Sequence, residues 1–167
     1  MSEKDTLISN KVKYNGIFSF SDFYNFCYKW LTEETDLDIS ENKYEEKLAG
    51  DSKNIVIEWV GTKELTDYFK FEMKVKFRIL GLTKVEISQN EKKIQTNKGG
   101  VEINVNGIII KDYKGKFETT AYLKFLRSIY EKWVIPSRIE EFEGKIIGDV
   151  DEFLSQAKAY LDLEGKR

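Results

Sequence analysis

The sequence predicts an α+β fold: an antiparallel meander sheet with an N-terminal strand and helix, one face covered by two C-terminal helices. Three observations predict it. Apolar residues recur with period two through residues 42–113. The clearest case is FKFEMKVKFRIL (69–80), where Phe69, Phe71, Met73, Val75, Phe77 and Ile79 face one way and Lys70, Glu72, Lys74, Lys76 and Arg78 the other. The period becomes 3.6 over 22–33 and again from residue 119 onward. The connections between strands are too short for parallel crossovers, which leaves consecutive hairpins.

Each element follows in order. Residues 1–10 read as a loose polar lead. A strand at 11–20 places Val12, Tyr14, Phe18 and Phe20 in register, with Gly16 marking a bulge. Ser21 is the expected N-cap of a helix at 22–33, with Asp22 in its first turn. Phe23, Phe26, Cys27, Trp30 and Leu31 fall at i, i+3, i+4, i+7 and i+8 on that helix. Strands are expected at 42–48, 54–61, 66–80, 83–89, 93–97 and 101–113. Turn chemistry separates them at Ala49-Gly50-Asp51, Gly61-Thr62, Leu80-Gly81-Leu82, Gln89-Asn90 and Asn97-Lys98-Gly99-Gly100. A turn centred on Gly81 sets Phe77 opposite Val85, Lys76 opposite Glu86 and Arg78 opposite Lys84. TTAYLKFLRSIYEKWV (119–134) is a helix with a wide apolar face, and Pro136 ends it. A last helix, 136–163, aligns Ile139, Phe142, Ile146, Val150, Phe153, Leu154, Ala157, Tyr160 and Leu161. No linker or repeat interrupts the chain, so residues 1–167 read as one domain.

Composition narrows the chemistry. The 167 residues are 41% hydrophobic and 34% charged, with 27 basic and 29 acidic side chains and a net charge of −2. No global field favours nucleic acid or an anionic membrane. No apolar run approaches the roughly 18 residues that span a bilayer, and the polar start MSEKDTLISNK lacks the apolar core of a signal peptide. The single cysteine, Cys27, permits no internal disulfide, and a cytoplasmic location is expected. The chain contains no histidine, which removes the commonest general base and metal ligand. Cys27 lies on the buried stripe of the first helix and reads as a core thiol. No cofactor and no metal site are expected. Glu140, Glu141, Glu143, Asp149, Asp151 and Glu152 are acidic without an EF-hand-type spacing. The glycines of NKGG (97–100) precede a strand, where a tight turn is expected, not the helix a phosphate cradle needs.

The charged row of 69–80 reads as the wet face of a sheet. Nucleic-acid sheets add aromatics to the basic face for stacking, whereas here the phenylalanines lie opposite the lysines, so no nucleic-acid partner is expected. A polyphosphate tunnel would require the ExExK motif of the triphosphate-tunnel family, and the first strand reads KVKYNGIF. Gly144 and Gly148, four apart inside the last helix, each cost about 1 kcal/mol relative to alanine. A bend, close packing, or a homodimer contact would account for them.

Aromatic residues carry the functional expectation. Trp59, Tyr122, Phe125, Tyr130, Trp133 and Phe142 are the candidate ligand-binding residues, gathered where the sheet meets the last two helices. The expected function is a non-catalytic binding module taking an apolar small molecule in a sheet–helix cleft, or a protein partner. The alternative is an enzyme using carboxylate or tyrosine acid–base chemistry in that cleft, with Glu45 or Glu118 as its acid. The element order resembles the helix-grip arrangement of START-like carriers of lipids and hydrophobic ligands, which implies a curved sheet around a long C-terminal helix. FLRSIYEKWVIPSRIEEFEGKIIGDVDEFLSQAKAYLDLEG and the earlier NGIIIKDYKGKFE are similar to an uncharacterised family of small archaeal proteins. That likeness implies the same strand–helix–sheet–helix plan over about residues 11–165 and no site.

Overall fold

The computed structural model describes residues 3–111, 113–114, 121–129, 132 and 136–166. Five strands form one antiparallel sheet: β1 (Glu3–Phe18), β2 (Asp38–Ala49), β3 (Ser52–Glu64), β4 (Phe69–Gln89) and β5 (Lys92–Lys111). The strand order is β1-β5-β4-β3-β2, so β2 to β5 are a meander and β1 closes the far edge beside β5. Helix α1 (Phe20–Glu34) connects the two edge strands, and α2 (Ala121–Ile129) and α3 (Pro136–Gly165) follow the sheet. The α+β class and the antiparallel meander are as the periodicity predicts.

The inner face of the sheet is the apolar one. Phe69, Phe71, Met73, Val75, Phe77 and Ile79 are all buried, while Lys74, Lys76 and Arg78 are exposed on the other side. Helix α1 seals one half of this face with Phe23, Cys27 and Leu31. Its N-cap is Ser19, two residues before the expected Ser21, and the Ser19 hydroxyl accepts from the Asp22 amide. Helix α3 seals the other half with Ile146, Val150, Phe153, Leu154, Ala157 and Leu161. The two helices lock together through rings: Phe26 stacks on Tyr160 at 4.5 Å, and Trp30 meets Phe153 at 5.7 Å.

Three local expectations are corrected. Residues 3–10 are not a loose lead but the first half of β1, paired from Glu3↔Lys111 to Asn10↔Val105. Their polar character hid them, because an edge strand keeps much of its surface in water. Gly81 does not turn the chain. It has φ +63 and forms a bulge, at which the β4–β5 register shifts between Leu80 and Thr83. Strand β4 therefore runs on to Gln89, and the real hairpin turn is Asn90-Glu91, both residues with positive φ, as a type I′ turn requires. Consequently Lys76 faces Glu58 and Asn104 instead of Glu86, and Arg78 faces Glu102 instead of Lys84. Nor does NKGG turn: Gly99 and Gly100 lie inside β5, opposite Gly16 and Asn15. A Cβ on Gly99 would stand 3.1 Å from both the Leu80 carbonyl oxygen and Leu82 Cα, so the glycine lets β5 approach the bulged strand.

Candidate functional site

Trp59, on the inner side of β3, is 1% exposed. Its ring takes the edges of Tyr24 at 5.2 Å, Tyr28 at 5.9 Å and Phe77 at 4.8 Å. Its Nε1 donates to Glu41 Oε1 at 3.1 Å, and the Tyr24 hydroxyl donates to the same oxygen at 2.7 Å. Burial, followed by the Glu41 hydrogen bond, pushes the Tyr24 phenol up to about 12. Glu41 thus ties α1, β2 and β3 together. Sequence reasoning missed it because β2 begins earlier than its turn residues indicate. The space between α1 and the sheet, lined by Phe20, Phe23, Tyr24, Ile57, Phe77 and Ile79, encloses only about 10 Å³. That is no more than about one water probe occupies. This half of the interior is packed by its own side chains.

Phe142 lies at the opposite half, half-buried against Phe69 with ring centroids 5.6 Å apart. It does not share the Trp59 cluster. Tyr122 and Phe125 are on α2, 68% and 61% exposed. With Ile129, 38% exposed, they occupy i, i+3 and i+7 and form one outward stripe. No residue of α2 is buried. The helix is held at the end of the sheet by Arg127, whose Nε donates to the Tyr68 hydroxyl at 3.0 Å and whose Nη2 lies 2.8 Å from Glu3 Oε2. Tyr130 and Trp133 lie outside the described residues, as does Glu118. Glu45 points to the outer face, where Lys43 and Lys47 pair with it at 3.4 and 3.6 Å.

Gly144 and Gly148 are exposed, and a Cβ built on either meets nothing within 4 Å. Close packing onto the sheet therefore does not account for them. Replacing both with alanine is expected to stabilise the chain by about 2 kcal/mol in urea unfolding, since each removes a helix-interior glycine without a clash. A dimer formed by close helix contact at these positions would instead lose mass on the same substitution.

The outer face is a mixed ladder. Lys76 Nζ lies 3.8 Å from Glu58, and the Asn104 amide donates to Glu102 at 3.2 Å. Near the sheet end Glu72 is only 8% exposed, beside buried Ile108 and Ile110. Among the described residues its Oε2 receives no hydrogen bond, and Lys4 Nζ lies 3.8 Å away. Cys27 is fully buried, which pushes its thiol well above the usual range and away from thiolate chemistry. Among the described residues, no group of three or more Cys, Asp and Glu side chains is placed to hold a metal ion, and no helix is long and apolar enough to cross a membrane. The chain matches no protein-family model and no curated protein.

Proposed function

We propose that the chain is a non-catalytic binding module that presents α2 to a protein partner. One observation carries this reading: the Tyr122–Phe125–Ile129 stripe is in water although the helix that bears it is anchored by Arg127. Exposed aromatics at i, i+3 and i+7 are the side chains by which a helix enters an apolar groove. Anchoring orients the helix before contact, which lowers the ordering entropy of binding. Lys124, exposed between Tyr122 and Phe125 in sequence, fits a groove with an acidic rim.

The small-ligand reading keeps one support. A long C-terminal helix across an antiparallel sheet is the helix-grip plan, and Phe142 packs on Phe69 in the half of the interior away from the filled space under α1. Photo-crosslinking in source cells separates the two. A photoreactive residue at position 125 is expected to capture one discrete protein, and the same residue at position 43 on the outer face to capture none of it. Absence of a position-specific adduct, together with a lipid-sized mass on the purified chain in native mass spectrometry, would replace the partner by an apolar ligand.

A further inference from the structure

Helix α1 begins only at Phe20, short of the sheet end where β2 turns into β3 and β4 bulges. The inner face is left open there. A pocket of about 630 Å³ lies between the start of α1, the β2–β3 hairpin tip and the strand just past Gly81. Small-molecule sites range over roughly 300–1,000 Å³, so the volume suits a ligand of that kind.

Two side-chain amides hold the walls in place. Gly81 has no partner residue in the β4–β5 register, and its amide donates to Asn54 Oδ1 on β3 at 2.8 Å. The Phe20 amide donates to Asn97 Oδ1 at 3.0 Å, while Asn97 Nδ2 donates to the Thr83 carbonyl at 3.5 Å. The bulge is thereby tied to β3, and α1 to the bulged strand. A pocket built in this way exists before its ligand arrives, which lowers the ordering cost of binding.

The Asn97 contact also fixes where the charge faces. Lys84 is directly across from Asn97 in the register, so the two side chains share one face of the sheet. Because Asn97 reaches the first turn of α1, Lys84 faces the pocket from the same side. It is exposed, with no ion pair among the described residues. Lys53 stands on the hairpin wall with its Nζ 3.4 Å from Glu46 Oε1. Among the described lining residues Asp51 is the one acid, so the lining keeps one positive charge in excess. The apolar share comes from Leu82, 3% exposed at the floor, half-buried Phe20, and Leu48, 82% exposed at the rim.

We propose that this pocket binds a small organic monoanion, a carboxylate bearing an aryl or alkyl body. One negative charge matches the excess in the lining, whereas a phosphate monoester carries nearly two at neutral pH. The carboxylate takes the Lys84 ammonium as a charge-assisted donor. The body lies on Leu82 and Phe20 and brings Leu48 out of water. The site is independent of α2, which is anchored at Tyr68, before the other end of β4.

Titration of the full chain with benzoate, 1-naphthoate and octanoate, followed by amide proton–nitrogen NMR, tests this. At least one of the three is expected to saturate with a Kd of about 1 mM or below and to move the signals of Ser21, Ser52 and Lys84. Its neutral carboxamide should bind about tenfold more weakly, having lost the charged hydrogen bond. Lys84→Gln should weaken the carboxylate by the same factor and leave the rest of the spectrum in place, which checks the fold. Lys43→Gln, on the outer face, should change nothing. The proposal is overturned if none of the three carboxylates saturates, if the shifts fall elsewhere, or if the carboxamide binds as well. Undiminished binding by Lys84→Gln would overturn it too, and phenyl phosphate binding more tightly than benzoate would refute the monoanion assignment.

Discussion

Trp59→Ala is expected to lower stability by about 3–5 kcal/mol, with Tm falling by about 10 °C for a chain of this size. Urea unfolding followed by circular dichroism measures it. The residue is the largest fully buried side chain among the described residues. Its removal empties the centre of a ring cluster formed by Tyr24, Tyr28 and Phe77. The surrounding groups belong to a sheet on one side and a helix on the other, so the site has little freedom to collapse. Trp59→Phe keeps most of the ring contacts and loses the Nε1–Glu41 bond. Its expected loss is about 1.5–3 kcal/mol, the worth of one hydrogen bond to a charged acceptor, with a smaller packing change besides. Equal losses for the two variants would show that the cluster is not close-packed, and would return Trp59 to the candidates for ligand contact.

How legible the fold was follows from which signals were local. The inner row of β4 could be read directly because one face is buried in a helix-covered core and the other is in water, the condition that makes alternation clean. Helix α3 was legible for the same reason at period 3.6. The strand pairings were not, since register depends on which glycine turns. Gly81, Asn90 and the glycines of NKGG all offer turn chemistry, and a turn read at each of them divides β4 at Gly81 and β5 at Gly99, where the structure has a bulge and a continuous strand and turns at Asn90-Glu91. The first ten residues failed differently: β1 takes its partner from the far end of the sheet, and nothing local to Glu3–Asn10 records that Val105–Lys111 lies beside it. The candidate site was legible as a composition and not as a place. Trp59 and Phe142 serve different halves of the core, while Tyr122 and Phe125 are outside it. Periodicity shows that a residue has an apolar side; it does not show whether another element comes to cover it.

The opposite case is Gly107, a single missing side chain on which the position of α3 depends. Its Cα faces Met73 on β4 and Ile8 on β1, in the inner row of β5. A Cβ built there would stand 2.9 Å from Ile146 Cγ2, 3.0 Å from Val150 Cγ2 and 3.0 Å from Ile8 Cγ2. All three neighbours are β-branched. Within a helix such side chains have one strongly preferred χ1, so Ile146 and Val150 cannot swing aside without leaving their rotamers. The remaining way to admit a side chain is to lift α3 from the sheet, which opens the packing of Phe153 and Leu154 as well. Gly107→Val is therefore expected to destabilise by about 3 kcal/mol, at the upper end of ordinary overpacking. The gain from replacing a strand glycine, about 0.5–1 kcal/mol, offsets only part of this. Adding Val150→Ala should recover a measurable share of the loss, although that substitution alone is destabilising. A double-mutant cycle in urea would then give a favourable coupling between positions 107 and 150. If the two effects simply add, α3 does not rest on Gly107, and the close approach of helix to sheet at this point is wrong.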